Sequence, residues 1–190
     1  FSLKYNASID MRMDSDLDKD GVHIINNYNH KDLSRIFREH ADFKNPKSLV
    51  DSIIKSRSHN PINTIFELKA IFSQGMNFEN QNQFFARIFQ SIRMEVNDEL
   101  GALQELLQQC LGILKPSGRL VIISYHSIED RLVKSFMKFG NFSNSPNKDF
   151  FGNESRPFRI INKKPIVPSI YELKLNNKSR SAKLRICEKI

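Results

Sequence analysis

Apolar residues recur every three or four positions from Phe85 to Cys110, through Ile88, Phe89, Ile92, Val96, Leu100, Leu103 and Leu107. That spacing lines one face of a helix, so it predicts one long helix over about 81–114, or two broken near Asn97. The same period runs upstream, where Leu33, Ile36, Phe37, His40 and Ala41 mark one helix and Leu49, Val50, Ile53 and Ile54 a second. Asn45-Pro46 reads as a cap followed by proline at the first helical position. Thr64-Ile-Phe-Glu67 has capping-box spacing, Leu68, Ile71 and Phe72 form the apolar face behind it, and Gly75 is the expected stop. No strand pattern interrupts residues 30 to 78, which read as a small helical unit.

The period changes after Lys115-Pro-Ser-Gly118. Leu120, Val121, Ile122 and Ile123 form a short continuous apolar block, the pattern of a strand buried on both faces of a parallel sheet. Ser124, Tyr125, His126 and Ser127 then stand at its carboxyl end, where open α/β sheets place their ligands. Ser127, with Asp130 three residues on, reads as the cap of the next helix, whose buried face is Leu132, Val133, Phe136 and Met137. Residues 140 to 156 are rich in Asn, Ser and Gly and predict a mobile loop. Phe158 to Ile161 and Ala182 to Ile190 read as two further strands, with Pro165 and Pro168 breaking the chain between them. Residues 1 to 20, with the acidic run that leads to Gly21, predict an irregular connection. Helix, strand and helix in succession define an α/β fold.

Composition narrows the function classes. The 190 residues carry a formal charge of +8 and a pI near 9.5, which fits a polyanionic partner such as nucleic acid or, equally, solvated Lys-rich faces. No run of about 18 consecutive apolar residues is present to span a bilayer, so no membrane role is expected. Cys110 and Cys187 are too few for a disulfide framework or a zinc site, which points to a reducing cytoplasm with both as small core residues. The chain starts at Phe1 without an initiator Met, and Phe1 is expected not to be the first residue of the gene.

Candidate chemistry falls in four places. Asp10, Arg12 and Asp14 alternate with methionines, so in an extended segment they face one way, as a site or as an ion-pair staple. Gln90, Arg93 and Asn97 fall at i, i+3 and i+7 and form a polar stripe that serves a site or satisfies neighbouring loops. His126 can act as a general base, bind a base edge or hydrogen-bond a loop, whereas Ser127 reads as a cap and not a nucleophile, since no Gly-x-Ser-x-Gly elbow surrounds it. Lys163, Lys164, Lys178, Arg180, Lys183 and Arg185 make the C-terminal third basic. No Gly-rich nucleotide loop, His-Glu-x-x-His or Cys-x-x-Cys occurs, and no metal is expected.

Asp10-Met-Arg-Met-Asp14, Phe89-Gln-x-Ile-Arg-x-x-Val-Asn-Asp-Glu-Leu100, the run from Leu114 to Lys134 and Ser179-Arg-Ser-Ala-Lys-Leu-Arg185 closely resemble, in the same order, the RsmH (MraW) family. Departures are few: Ile9 stands for a usual Leu, Tyr125 for a usual Phe, Ser117 for a usual Gly, and Asn177-Lys178 where Pro-Arg is common. The resemblance implies S-adenosylmethionine-dependent methylation of the exocyclic N4 amine of a cytidine in the decoding region of 16S ribosomal RNA, with that RNA or the small ribosomal subunit as partner. It implies a partial class I (Rossmann-like) methyltransferase sheet with an all-helical inserted domain. Residues 1–21 then belong to the methyltransferase domain, 22–80 to the RNA-side insert, and 81–190 to the C-terminal part of the methyltransferase domain. The S-adenosyl-L-methionine residues are expected upstream of Phe1, which would leave the isolated chain inactive. Ser124, His126 and Ser127 are expected to line the cytidine pocket as the catalytic group. Asp10, Arg12, Asp14, Gln90, Arg93, Asn97, Asp130, Arg131 and Arg180 are expected to bind substrate. The competing expectation is a non-catalytic RNA-binding or assembly module on a methyltransferase-like fold.

Overall fold

The computed structural model describes residues 5–72, 78–148 and 150–190. The chain divides into two compact units, residues 1–99 and 100–190.

The first unit is helical: α1 (Gly21–Asn27), α2 (His30–Glu39), α3 (Lys47–Arg57), α4 (Ile65–Ala70) and α5 (Phe78–Val96). The apolar faces read from the period bury together, with Leu33, Ile36, Phe37, Leu49, Val50, Ile53, Leu68, Ile88 and Ile92 in one core. The capping box at α4 is present in full, Thr64 accepting from the Glu67 amide and Glu67 reaching back to Asn63 and Thr64. Two expectations need correction. Gly21 opens a helix and does not extend a connection, because Asp20 caps it by accepting from the His23 amide at 2.7 Å. Its missing side chain is required, since a Cβ there would stand 2.4 Å from the Ile9 carbonyl oxygen and 2.8 Å from Ile92 Cγ2. Pro46 is the N-cap of α3 and not its first helical residue; Asn45 accepts from the Lys47 amide one position ahead of it. The expected stop at Gly75 lies outside the described residues.

The helical pattern over 81–114 resolves into two helices. Asp98 adopts a left-handed φ of 44°, which ends α5 and lets α6 (Glu99–Ile113) start afresh. The second unit then contains β1 (Arg119–Ser124), α7 (Ser127–Phe139), a short hairpin β2 (Asn147–Lys148) and β3 (Glu154–Ser155), β4 (Phe158–Ile160), α8 (Ile170–Leu175), a 3-10 turn (Asn177–Ser181) and β5 (Lys183–Lys189). The main sheet has the order β1-β5-β4. Leu120, Leu107, Val133, Phe136, Phe158 and Cys187 form its core.

The strand at 120–123 is not buried on both faces of a parallel sheet. It pairs antiparallel with β5, Leu120 opposite Cys187 and Ser124 opposite Lys183, and β4 also runs antiparallel to β5. Leu120 is buried against α6 and α7, whereas Val121 and Ile123 are 52% and 54% exposed within the described residues. An apolar run reports what a side chain tolerates, not the direction of its partner strand. Residues 140–156, expected as a mobile loop, include the β2–β3 ladder, and Asn141 ties the turn by donating to Ser145 and Asn147. α8 and the 3-10 turn had no apolar period to announce them; all six residues of α8 lie outside the buried core.

Candidate functional site

In the first unit, the Asp10–Asp14 segment is not extended, because Met11 has a left-handed φ of 63°. That turn folds Arg12 back onto Asp10 in a two-point pair, Nε to Oδ1 at 2.8 Å and Nη2 to Oδ2 at 3.1 Å. Arg12 also donates to the carbonyls of Ser15 and Leu17 at 2.8 and 3.0 Å, and its guanidinium holds the Asp10 carboxyl below the usual range. Asp14 stands apart from this pair and accepts the Asp16 amide. Met11 itself is buried, so the segment is anchored by one apolar side chain between two charged ones.

The stripe on α5 reaches this segment at one residue. Asn97 Nδ2 donates to the Met11 carbonyl at 2.7 Å, and its Oδ1 accepts the Met13 amide at 2.7 Å. Arg93 instead grips Glu99 with Nε and Nη2, at 2.6 and 3.0 Å. Gln90 donates to the His40 carbonyl at 3.1 Å. Of the three, Asn97 shapes the candidate segment, while Gln90 and Arg93 serve neighbouring turns.

A second polar group in this unit escaped the sequence reading. Glu95 of α5 receives Arg35 of α2, His40 at the C-cap of that helix, and the Tyr28 hydroxyl. Burial would raise its carboxyl, but the His40 and Arg35 contacts win and bring it to about 2. Only the i, i+5 spacing of Arg35 and His40 could have pointed to it, and that is no helical signature.

In the second unit the strand-to-helix junction is built around His126. Its ring Nδ1 accepts from the Glu129 amide, which makes His126 the N-cap of α7 and corrects the assignment of that job to Ser127. Ser127 is the first helical residue. Glu129 completes the turn, since Oε2 accepts the Tyr125 amide at 2.9 Å and Oε1 lies 3.0 Å from His126 Nε2 without a hydrogen-bonding angle. Burial works against the Glu129 charge, yet the His126 side chain and the Tyr125 amide keep its carboxyl below the usual range. Both ring nitrogens of His126 therefore face Glu129.

Ser124 points inward, its hydroxyl donating weakly to the Lys183 carbonyl at 3.5 Å. Asp130 is buried and carries a two-point pair with Arg185, Nε to Oδ1 at 2.6 Å and Nη2 to Oδ2 at 3.0 Å, with Lys183 at 3.4 Å. This pair ties α7 to β5. Arg131 lies exposed on the same helix. The alternation that turns Ser124 in turns Tyr125 out, 56% exposed. Tyr125 lines a cleft of about 390 Å³ with Asn177, Lys178, Arg180 and Ser181. The strand end was legible in the sequence, where Tyr125 stands among the first candidates for a site without a specific task; period-2 alternation counted from Leu120 is the signal that exposes it. An aromatic face beside two cations suits a nucleotide.

A helical unit followed in the chain by a sheet-and-helix unit defines a mixed α/β protein, with a cleft beside the end of β1 in the second unit. The chain belongs to the MraW methylase family, whose model matches residues 1–190. It is 46% identical over 190 residues to a Flavobacterium johnsoniae protein named ribosomal RNA small subunit methyltransferase H, covering 100% of this chain and 63% of that one. Proteins of the same name from Parabacteroides distasonis and Amoebophilus asiaticus are 42% and 46% identical, with 62% and 61% of their lengths covered by the whole of this chain. The chain thus spans less than two thirds of the curated relatives it matches. No helix among the described residues is long and apolar enough to cross a membrane.

Methylases of this kind imply S-adenosylmethionine, whose ribose and backbone cradle call for a free acid and a Gly-rich turn. At this junction Glu129 is held by the Tyr125 amide and Asp130 by Arg185, and no Gly-rich turn follows a strand among the described residues. The residues of this junction do not fit the cofactor.

Proposed function

We propose that the full-length protein carrying this chain transfers a methyl group from S-adenosylmethionine to the exocyclic N4 amine of a cytidine in the decoding region of 16S ribosomal RNA, acting in the cytoplasm on that RNA or the small ribosomal subunit, and that the isolated chain is inactive because its residues do not fit the cofactor. The observation that carries this reading is the family match over all 190 residues, together with relatives named for small-subunit ribosomal RNA methylation. The sheet β1-β5-β4 is read as one flank of a class I (Rossmann-like) methyltransferase sheet, and residues 22–80 as the inserted helical domain.

The cytosine amine is conjugated with its ring and is a weak nucleophile, so the protein must hold the nitrogen in line and accept its hydrogens. The base has to leave its stack to be reached. The exposed Tyr125 ring offers a stacking face, with Lys178 and Arg180 of the same cleft placed for the adjoining phosphate. Ser127, the first residue of α7, is assigned to the base edge, while the buried Ser124 positions the junction from the opposite face by donating to the Lys183 carbonyl. His126 acts as a positioning residue, fixing the junction through Glu129. Asp10, Arg12 and Asn97 form a rigid loop assigned to the substrate side, and Asp130 holds β5 behind the junction.

Tyr125→Ala and Tyr125→Phe in the full-length protein test the assignment. Base stacking on an aromatic ring contributes roughly 1–3 kcal/mol. Alanine should therefore raise KM for the ribosomal subunit about tenfold or more, while phenylalanine stays near wild type. Unchanged kinetics in Tyr125→Ala would remove Tyr125 from the site.

A further inference from the structure

We infer that the cleft between α7 and the β4–β5 edge, away from the strand-end site, is a second contact for the RNA phosphodiester backbone; this rests on the RNA-substrate reading above. Residues 100–190 hold 16 of the 29 Lys and Arg but only 7 of the 21 Asp and Glu, a formal +9 against −1 for residues 1–99. The basic character of the chain is therefore a property of one unit. Within that unit a cleft of about 480 Å³ is rimmed by Lys134, Lys138, Arg156, Arg159 and Lys163.

The acids near this rim are already engaged. Glu154 pairs with Arg156, Glu188 with Arg159, and Asp130 with the buried Arg185. Among the described residues no carboxylate pairs with Lys134, Lys138 or Lys163, which leaves three cations in excess. Lys134 and Lys138 stand at i and i+4 on the exposed face of α7, one turn apart. The floor between the cations is apolar, made by Met137, Phe158 and Ile160. A solvated lysine face needs no such floor. A phosphodiester chain alternates anionic phosphate with the carbon face of ribose, and this alternation of cation and hydrocarbon complements it.

The test is binding of the chain to a fluorescent single-stranded RNA of roughly 12 nucleotides, inside the range one strand-binding groove covers. Kd is followed as a function of salt for wild type and for the triple variant Lys134→Gln, Lys138→Gln, Lys163→Gln. A charge-matched control changes Lys31, Lys115 and Lys174 to Gln. Each single-strand phosphate contact contributes about 0.7 to the slope of log K against log salt, so losing three lowers it by about 2. The expected result is roughly tenfold weaker binding in the cleft variant, near-wild-type binding in the control, and recovery when the three positions are Arg. Equal losses in both triples, no loss in either, or a lysine dependence seen only with anionic phospholipid vesicles overturns the inference. The two readings fail separately. Methylation of small subunits by the full-length protein with cleft-independent RNA binding removes this cleft alone, and cleft-dependent RNA binding with no methylation by the full-length protein removes the enzyme reading alone.

Discussion

Asn97 holds Met13: its Oδ1 accepts the Met13 amide at 2.7 Å while its Nδ2 donates to the Met11 carbonyl at 2.7 Å. One amide side chain at the end of α5 thus fixes both sides of Arg12. Met11 sits at φ 63°, a conformation unfavourable for a residue with a side chain by about 1 kcal/mol, and the Asn97 clamp offsets that strain.

Asn97→Ala should destabilise the protein by about 1–3 kcal/mol, since it removes both contacts and the bond to the Arg93 carbonyl. Hydrogen exchange at the Met13 amide is the sharper measurement, because protection there should fall further than at α5 amides. Equal protection in variant and wild type would show that the loop holds itself.

Acid should loosen the helical unit through Glu95. Its carboxyl sits at about 2 in the fold against an ordinary 4.5, so its contribution is fully present above about 4.5 and is lost as pH falls towards 2. The displacement corresponds to about 3 kcal/mol. Urea midpoints measured from pH 6 to pH 2.5 should fall steeply for wild type, and Glu95→Gln should be less stable at pH 6 with a flatter profile.

Asp130 and Arg185 form a buried pair, and removing one partner leaves the other charge uncompensated. Asp130→Ala should cost about 3–5 kcal/mol, whereas the double change Asp130→Leu with Arg185→Met should cost less than either single change. A double-mutant cycle by denaturant unfolding reads this directly, and additive losses would contradict it.

Gly21→Ala should destabilise by about 1–3 kcal/mol through overpacking, as a Cβ would press on the Ile9 carbonyl and Ile92. The urea midpoint should drop without a change in the slope of unfolding free energy with urea.

The helices of the first unit after α1 were legible because their apolar faces keep one period, from Leu33 and Ile36 through Ile88 and Ile92, all of which are buried; α1 itself was missed. The α5–α6 break was left open between one long helix and two broken near Asn97, because the apolar period runs through it; Asp98 at φ 44° decides it. Strand partners were not, since nothing in Leu120 to Ile123 states that β5 pairs with them antiparallel. The junction was located correctly in the chain, but the cap moved from Ser127 to His126 because a ring nitrogen can do what a hydroxyl does. The contacts of Glu95 with Arg35 and of Asn97 with Met13 join residues 60 and 84 positions apart, a separation that periodicity does not report.

The most direct test of the enzyme reading is the identity of the product. Small ribosomal subunits lacking methylation at the decoding region are incubated with the full-length protein that carries this chain and labelled S-adenosylmethionine, then digested to nucleosides and resolved by mass spectrometry. The account predicts label in a cytidine methylated on its exocyclic N4 amine, from the decoding region of 16S ribosomal RNA. Label in another nucleoside, or on cytosine C5 or the ribose, would contradict it.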